Sequence, residues 1–199
     1  MSVLAPRTAK VRTSFDLDQF IGDCRSALAA DRSHRLVREV VERAVTDPAA
    51  ILKTLGEPKR AMLRTLYRSY ELTILNPIRG PNMVLLPHDH RMWAVIGIYS
   101  GREDNIFWRR PSSREGKLKA AAAKALSVGD AEPLGPNIIH SVINPISRLT
   151  AAIHVYGGDF FGVERSEWDA ENLSERRFDP ERLVRSFEDA NSSLARTRP

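Results

Sequence analysis

The stretch PHDHRMW, residues 87–93, places two histidines two positions apart, directly before an apolar run. Side chains at positions i and i+2 of a β-strand point to the same face, so His88 and His90 are expected to project together into a core or a cavity. Burying two such rings without partners is unfavourable, and a metal ion satisfies both. Taken alone, the pair also fits a hydrogen-bonded surface turn.

Two further histidines lie in later strand-like runs. His140 ends the run NIIH, residues 137–140, and His154 lies in the next run. Of the five histidines, only His34 falls outside this part of the chain, and it is expected on the surface at the start of a helix. The presence of His140 favours a metal site over a surface turn for the histidine pair.

Short apolar runs, interrupted by turn-forming residues, dominate the chain from about residue 68 onward. Several contain β-branched or aromatic residues, and Ser100-Gly101 and Gly157-Gly158 are typical of turns. This pattern predicts a β-sandwich or barrel. The segment KLKAAAAKAL, residues 117–126, has high helix propensity, but its position between hairpins favours a strand or an irregular segment. The predicted strands are Tyr70–Leu75, Met83–His88, Trp93–Tyr99, Asn105–Arg109, Ile138–Ile143 and Leu149–Tyr156.

The regions on either side of these strands differ from them in pattern. Residues 1–13 are predicted to be a flexible leader, and 14–66 a helical segment with apolar residues at helical spacing. Residues 67–165 form the predicted barrel. Residues 166–199 are predicted to be a charged C-terminal extension without a clear strand, helical over about 180–194.

Composition excludes several classes of partner. The 199 residues carry a formal net charge of +5, but the cationic residues do not cluster, and the densest stretch, around 109–119, is typical of a solvated hairpin. We therefore expect no nucleic-acid partner. No apolar run approaches membrane-spanning length, and residues 1–10 lack the apolar core of a signal peptide. The single cysteine, Cys24, has helical core spacing and is expected to be a buried thiol, and the protein is expected in the cytoplasm.

The combination of HDH, the following Trp93, the downstream histidine and the run IHVYGGD resembles the thiol dioxygenase branch of the cupin superfamily, which includes cysteine dioxygenase and 3-mercaptopropionate dioxygenase. The resemblance covers about residues 76–165. It implies a mainly β fold, the cupin double-stranded β-helix or jelly-roll barrel, with an N-terminal helical segment before it. It also implies one Fe(II) per chain, held by His88, His90 and His140. Because neutral imidazole also suits zinc and nickel, these metals are alternatives.

Two departures from the wider cupin pattern concern acidic and hydroxyl groups. The glutamate that usually follows HxH is missing, as in the three-histidine branch, and Glu103 is too far along to replace it and is expected on a hairpin surface. His154 and Tyr156 match the last two members of a Ser-His-Tyr triad, but Ala152 stands in place of the serine. Because Cys24 lies far from this motif, no cysteine–tyrosine crosslink is expected.

The resemblance also implies a substrate and a reaction. Arg165, nine residues after Tyr156, is similar to the arginine that binds the substrate carboxylate in 3-mercaptopropionate enzymes. The chain is therefore expected to be an oxidoreductase that converts a small carboxylated thiol, 3-mercaptopropionate-like or cysteine-like, to its sulfinate with O2, using His154 and Tyr156 as catalytic residues. The alternatives are a cupin metalloenzyme with zinc or another divalent metal and a different reaction, and a non-catalytic cupin binding module. The sequence gives no indication of an oligomeric state.

Overall fold

A computed structural model describes residues 14–110 and 117–197 of the chain. The leader predicted over 1–13 lies outside the described residues, as does the tip of the predicted hairpin at 111–116. In chain order the elements are α1 (Leu17–Ala30), α2 (Arg35–Val45), α3 (Pro48–Leu55), β1 (Met62–Arg68), β2 (Thr73–Arg79), β3 (Val84–Asp89), β4 (Ala94–Ser100), β5 (Arg102–Arg109), β6 (Lys119–Ser127), β7 (Ala131–Leu134), β8 (Ile139–Ile143), β9 (Thr150–Tyr156), β10 (Ser166–Trp168), β11 (Glu175–Arg177) and α4 (Pro180–Thr197).

The strands form two antiparallel sheets. One has the order β1-β2-β9-β4-β7 and the other the order β11-β10-β3-β8-β5-β6. From β2 to β9 the chain passes repeatedly from one sheet to the other, so that strands distant in sequence, such as β2 and β9 or β3 and β8, become neighbours. This is the strand order of a jelly roll. The mainly β double-stranded β-helix predicted from the sequence, with helices at its N-terminus, is confirmed.

The N-terminal helices cover the outer face of the first sheet. The side chain of Asp16 caps α1 by accepting a hydrogen bond from the backbone N–H of Gln19 at 2.8 Å. The valines of α2 are buried against β4, where a Cβ on Gly97 would lie 2.5 Å from Cγ1 of Val41. Glycine is therefore the residue that allows the helix to approach the sheet so closely. Within the described residues, no helix has the length and apolarity that a bilayer crossing requires.

The boundaries of the β region differ from those predicted. The helical segment predicted over 14–66 ends at Leu55, and β1 begins at Met62. The C-terminal extension, expected to lack strands, contributes β10 and β11 to the second sheet before α4. The alanine-rich segment forms β6, whose side chains are largely exposed at the sheet edge. Pairing with β5 thus overrides the helix propensity of this segment.

Cys24 is fully buried between the helices, and burial raises the pKa of its thiol from 9.0 to about 12. We expect the native protein not to react with a thiol reagent at pH 8, because the thiolate fraction falls by about a thousandfold for a pKa shift of this size. The measurement is labelling with iodoacetamide, followed by intact mass, with the urea-unfolded protein as the positive control. Rapid labelling of the native protein would contradict the buried position.

Candidate metal centre

Three histidines converge inside the jelly roll. His88 lies on β3 and pairs across the sheet with His140 on β8, so their side chains share a face. His90 follows the end of β3 and points the same way, whereas the intervening Asp89 points to the opposite side, where it accepts a hydrogen bond from the backbone N–H of Ser166. The Nε2 atom of His90 lies 3.2 Å from Nε2 of His88 and 3.3 Å from Nε2 of His140.

The tautomers of two rings follow from their outer partners. His88 donates its Nδ1–H to the carbonyl oxygen of Leu86, and His140 donates its Nδ1–H to Oδ1 of Asn105, each at 2.8 Å. The Nε2 atoms of both rings therefore carry lone pairs that face His90. A proton on Nε2 of His90 can point at only one of them, so at least one of the two close nitrogen pairs is not a hydrogen bond. A cation bound by all three nitrogen atoms would satisfy every one of them, so the residues fit a metal ion.

Burial keeps the three rings neutral. It lowers the pKa of His88 from 6.5 to about 4 and those of His90 and His140 well below their ordinary value. The positive charges of nearby arginines lower the pKa of His88 and His140 further. Neutral imidazole is the form that binds metal, so no proton has to be removed at neutral pH. Among the described residues, this candidate metal-binding group contains histidines and no carboxylate.

A buried polar network supports His140 from behind. Asn105, which accepts from His140, donates its Nδ2–H to Oε1 of Glu103 at 3.2 Å. The other oxygen of Glu103 pairs with the guanidinium of Arg79. The expectation that Glu103 lies on a hairpin surface is wrong, because its exposed fraction is 0% and Arg79 is 4% exposed. The side chains at 103 and 105 point inward on β5 and share one face.

Asn105 is expected to tune metal affinity without binding the metal itself. Replacing Asn105 with alanine removes the acceptor that orients His140, and we expect metal affinity to fall by about 10–100-fold, as is typical for partners of metal-binding histidines. The measurement is a competition titration with a chromophoric chelator. Asn76, a buried asparagine on β2 that contacts Tyr99 and the carbonyl of Ala152, provides the control variant Asn76→Ala. An unchanged affinity in Asn105→Ala would contradict the role of this hydrogen bond.

His154 and Tyr156 lie beside the three histidines. His154 Nδ1 and the Tyr156 hydroxyl are 2.9 Å apart, and the Tyr156 ring packs edge-on against His90 with ring centroids 5.1 Å apart. Burial raises the pKa of Tyr156, so its hydroxyl stays protonated at neutral pH. Nε2 of His154 is buried without a hydrogen-bond partner and lies 4.0 Å from the carboxylate of Glu103. Thr150, an apparent substitute for the missing serine hydroxyl, instead bonds to the backbone of Arg102.

Arg165 lies on the same side of the site, just before β10. Its guanidinium carbon lies 3.8 Å from the ring centroid of Phe160 and 4.2 Å from that of Phe178, so the cation is held between two aromatic faces. Burial lowers the pKa of Arg165 to about 10, which leaves it charged at neutral pH. Its Nη1 is buried and has no hydrogen-bond partner. A buried cationic donor in this state is suited to a planar anion such as a carboxylate.

One cavity is lined by the three histidines, His154, Tyr156 and Arg165. With its open mouth it contains about 750 Å³ of empty space, of which about 80 Å³ admits the centre of a water-sized sphere. The histidines and Arg165 form its inner part, and α4 with the strands β1 and β3 forms its outer part. The residues that line it are Leu63, Leu75, Pro77, Arg79, Val84, Leu85, Leu86, His88, His90, His140, His154, Tyr156, Phe160, Arg165, Glu167, Phe178, Asp179, Arg182, Leu183, Ser186 and Phe187.

No family model matches the sequence, and the solved structures named here share 10–13% identity with the chain. The chain is similar to an RmlC-like cupin family protein with a double-stranded β-helix fold from Methanocaldococcus jannaschii (TM-score 0.44, 10% identity, 53% of this chain and 87% of that chain). It is also similar to an uncharacterized conserved protein with a double-stranded β-helix domain from Klebsiella pneumoniae (TM-score 0.42, 11% identity, 64% of this chain and 94% of that chain). A third similar structure is a cupin superfamily protein from Desulfitobacterium hafniense (TM-score 0.43, 13% identity, 54% of this chain and 88% of that chain). At these identities and TM-scores the likenesses specify no reaction for this chain.

The structure thus brings together every site residue predicted from the sequence: the three histidines, His154, Tyr156 and Arg165. Sequence reasoning missed Arg79, Glu103 and Asn105, which support the site from β2 and β5. The two-residue spacing of Glu103 and Asn105 indicates that their side chains share one face of a strand. The neighbouring Arg102 and Asp104, however, make the whole stretch look like a charged surface segment. The contribution of α4 to the cavity was also missed.

Proposed function

We propose that this protein is a mononuclear non-haem iron dioxygenase that converts a small carboxylated thiol to its sulfinate. The observation that carries the proposal is the pairing of an all-histidine metal-binding group with a buried, unpaired Arg165 in the same cavity. Three neutral donors leave the double positive charge of a divalent ion uncompensated. Such a site favours an anionic ligand, and a thiolate is stabilised at it.

The side chains around the three histidines have separate roles in binding the substrate and excluding water. Arg165 binds the carboxylate of the substrate through its free Nη1 and thereby sets the direction of the sulfur atom. Tyr156, whose hydroxyl bonds to His154 and whose ring packs against His90, would donate a hydrogen bond to the bound substrate. Phe160 and Phe178 exclude water around the guanidinium. When bound, the iron supplies the redox chemistry that adds both oxygen atoms of O2 to sulfur, RS⁻ + O2 → RSO2⁻.

The test is oxygen uptake by the Fe(II)-loaded protein with 3-mercaptopropionate, cysteine and 1-propanethiol, with the product identified by mass spectrometry. We expect one O2 consumed per sulfinate formed, and much slower turnover of 1-propanethiol, which lacks the carboxylate. The matched variant is Arg165→Met, which keeps the volume between the two phenylalanines but removes the cation. Absence of thiol-dependent uptake from fully iron-loaded protein would refute the proposal, and stoichiometric zinc in the purified protein would then favour the alternative of a zinc enzyme with a different reaction.

A further inference from the structure

The outer part of the cavity is apolar and is built by the C-terminal helix. Leu183 and Phe187 of α4 line it together with Leu63 of β1 and Leu85 of β3. The same four side chains belong to one apolar cluster that also contains Met83. Packing against this cluster fixes α4, so the apolar wall is part of the folded protein.

Phe178 connects this apolar part to the metal-binding group. Its ring centroid lies 6.4 Å from that of His88, and its face lies against the guanidinium of Arg165. Phe178 directly precedes Asp179 and the first turn of α4. The cavity therefore runs from the three histidines, past a cation held between aromatic rings, to an aliphatic wall.

The charged residues of the cavity leave one open position for an anion. Arg182 pairs with Glu167 at 2.9 Å and with Asp179 at 3.4 Å, and Arg79 pairs with Glu103. Only Arg165, among the arginines that line the described cavity, has a buried nitrogen without a partner and no ion pair within 4.0 Å. A ligand with one carboxylate satisfies this arginine, and the rest of the ligand then meets apolar side chains.

We infer that the substrate is a thiol carboxylate that carries an aliphatic substituent of several carbon atoms, rather than a bare two- or three-carbon thiol acid. Its carboxylate binds Arg165, and its substituent packs against Leu183, Phe187 and the leucines of β1 and β3. The thiol part of this inference rests on the proposed function. The carboxylate and the aliphatic part rest on the cavity itself.

The first experiment measures binding to the metal-free protein by calorimetry, with propionate, pentanoate and heptanoate as probes. We expect affinity to rise by about fourfold for each methylene that becomes buried. Heptan-1-ol, which has no carboxylate, should bind much more weakly, and Arg165→Met should lose the difference between acid and alcohol. Equal affinity for the three acids would overturn the inference.

A pair of variants on α4 separates the cavity wall from the stability of the helix. Leu183→Ala removes an apolar side chain from the wall, and Val184→Ala removes one from the neighbouring position, which is 56% exposed and outside the cavity. We expect Leu183→Ala to reduce the gain in affinity from propionate to heptanoate, and Val184→Ala to leave it unchanged. The same slope in both variants and the wild type would refute the proposed wall.

Thiol substrates distinguish this inference from the proposed function. With Fe(II)-loaded protein we expect kcat/KM to be at least tenfold higher for 3-mercaptohexanoate than for 3-mercaptopropionate. Oxidation of 3-mercaptopropionate with no gain for the longer thiol would refute the aliphatic substituent and leave the dioxygenase proposal standing. Length-dependent binding of the acids without oxidation of any thiol would refute the dioxygenase and leave the cavity's preference for aliphatic carboxylates standing.

Discussion

Replacing Glu103 with alanine is expected to lower the free energy of unfolding by about 3–5 kcal/mol, because Arg79 then remains in the core as an unpaired charge. Both side chains of this ion pair are almost completely excluded from solvent. The loss includes the hydrogen bond from Asn105, whose amide nitrogen is left without its carboxylate acceptor. The measurement is urea-induced unfolding of the metal-free protein at pH 7, followed by circular dichroism.

The adjacent residue provides a matched control. Asp104 pairs with Arg102 on the same strand, but the arginine side chain of this pair is 47% exposed. Asp104→Ala is therefore expected to lower the unfolding free energy by less than about 1 kcal/mol. Equal losses in Glu103→Ala and Asp104→Ala would show that the buried pair does not carry the predicted energy.

The buried ion pair of Arg79 and Glu103 is expected to affect metal binding as well as stability. Apolar residues of similar volume often replace a buried ion pair without loss of stability. The double variant Arg79→Met with Glu103→Leu should therefore recover most of the stability that Glu103→Ala loses. Because Glu103 holds Asn105, and Asn105 holds His140, the double variant should still bind metal more weakly than the wild type. This combination of results would assign the pair to the metal centre rather than to the core.

The parts of the fold that could be predicted from sequence are those with a strong local signal. The strand alternation through His88 and His90 placed both rings on one face, and the apolar runs that contain β4 and β9 were identified as strands. β10 and β11 escaped detection because they are three residues each, too short for any periodicity to show. β1 escaped because its arginines and threonine interrupt the apolar alternation.

The polar part of the site shows a different limit of sequence reasoning. Glu103 and Asp104 are adjacent acidic residues in the same charged stretch, yet one is fully buried and the other half-buried. Their difference arises from what lies across the barrel: Arg79 from β2 faces Glu103. Likewise, Arg165 differs from Arg176 and Arg182, which both pair with Glu167, because it forms no ion pair within the described residues. Partnership of this kind depends on tertiary contacts, which local sequence does not encode.

Removing one ring of the three-histidine group should abolish stoichiometric metal binding, whereas removing the fourth histidine of the same cavity should not. His140→Ala leaves two ligands and leaves Oδ1 of Asn105 without its donor. Loss of a residue that only supports a ligand lowers metal affinity by up to about 100-fold, so we expect a larger fall when the ligand itself is lost. His154→Ala removes an equally buried imidazole that is hydrogen-bonded to Tyr156 and does not belong to the metal-binding group.

Elemental mass spectrometry after dialysis should find about one metal per chain in His154→Ala, the stoichiometry expected of a single three-ligand site. In His140→Ala it should find less than a tenth of the wild-type content. Circular dichroism verifies that both variants are folded. Metal loss in both variants alike would mean that the cavity binds metal through a different set of histidines, and retention in both would mean that these histidines do not form the metal centre.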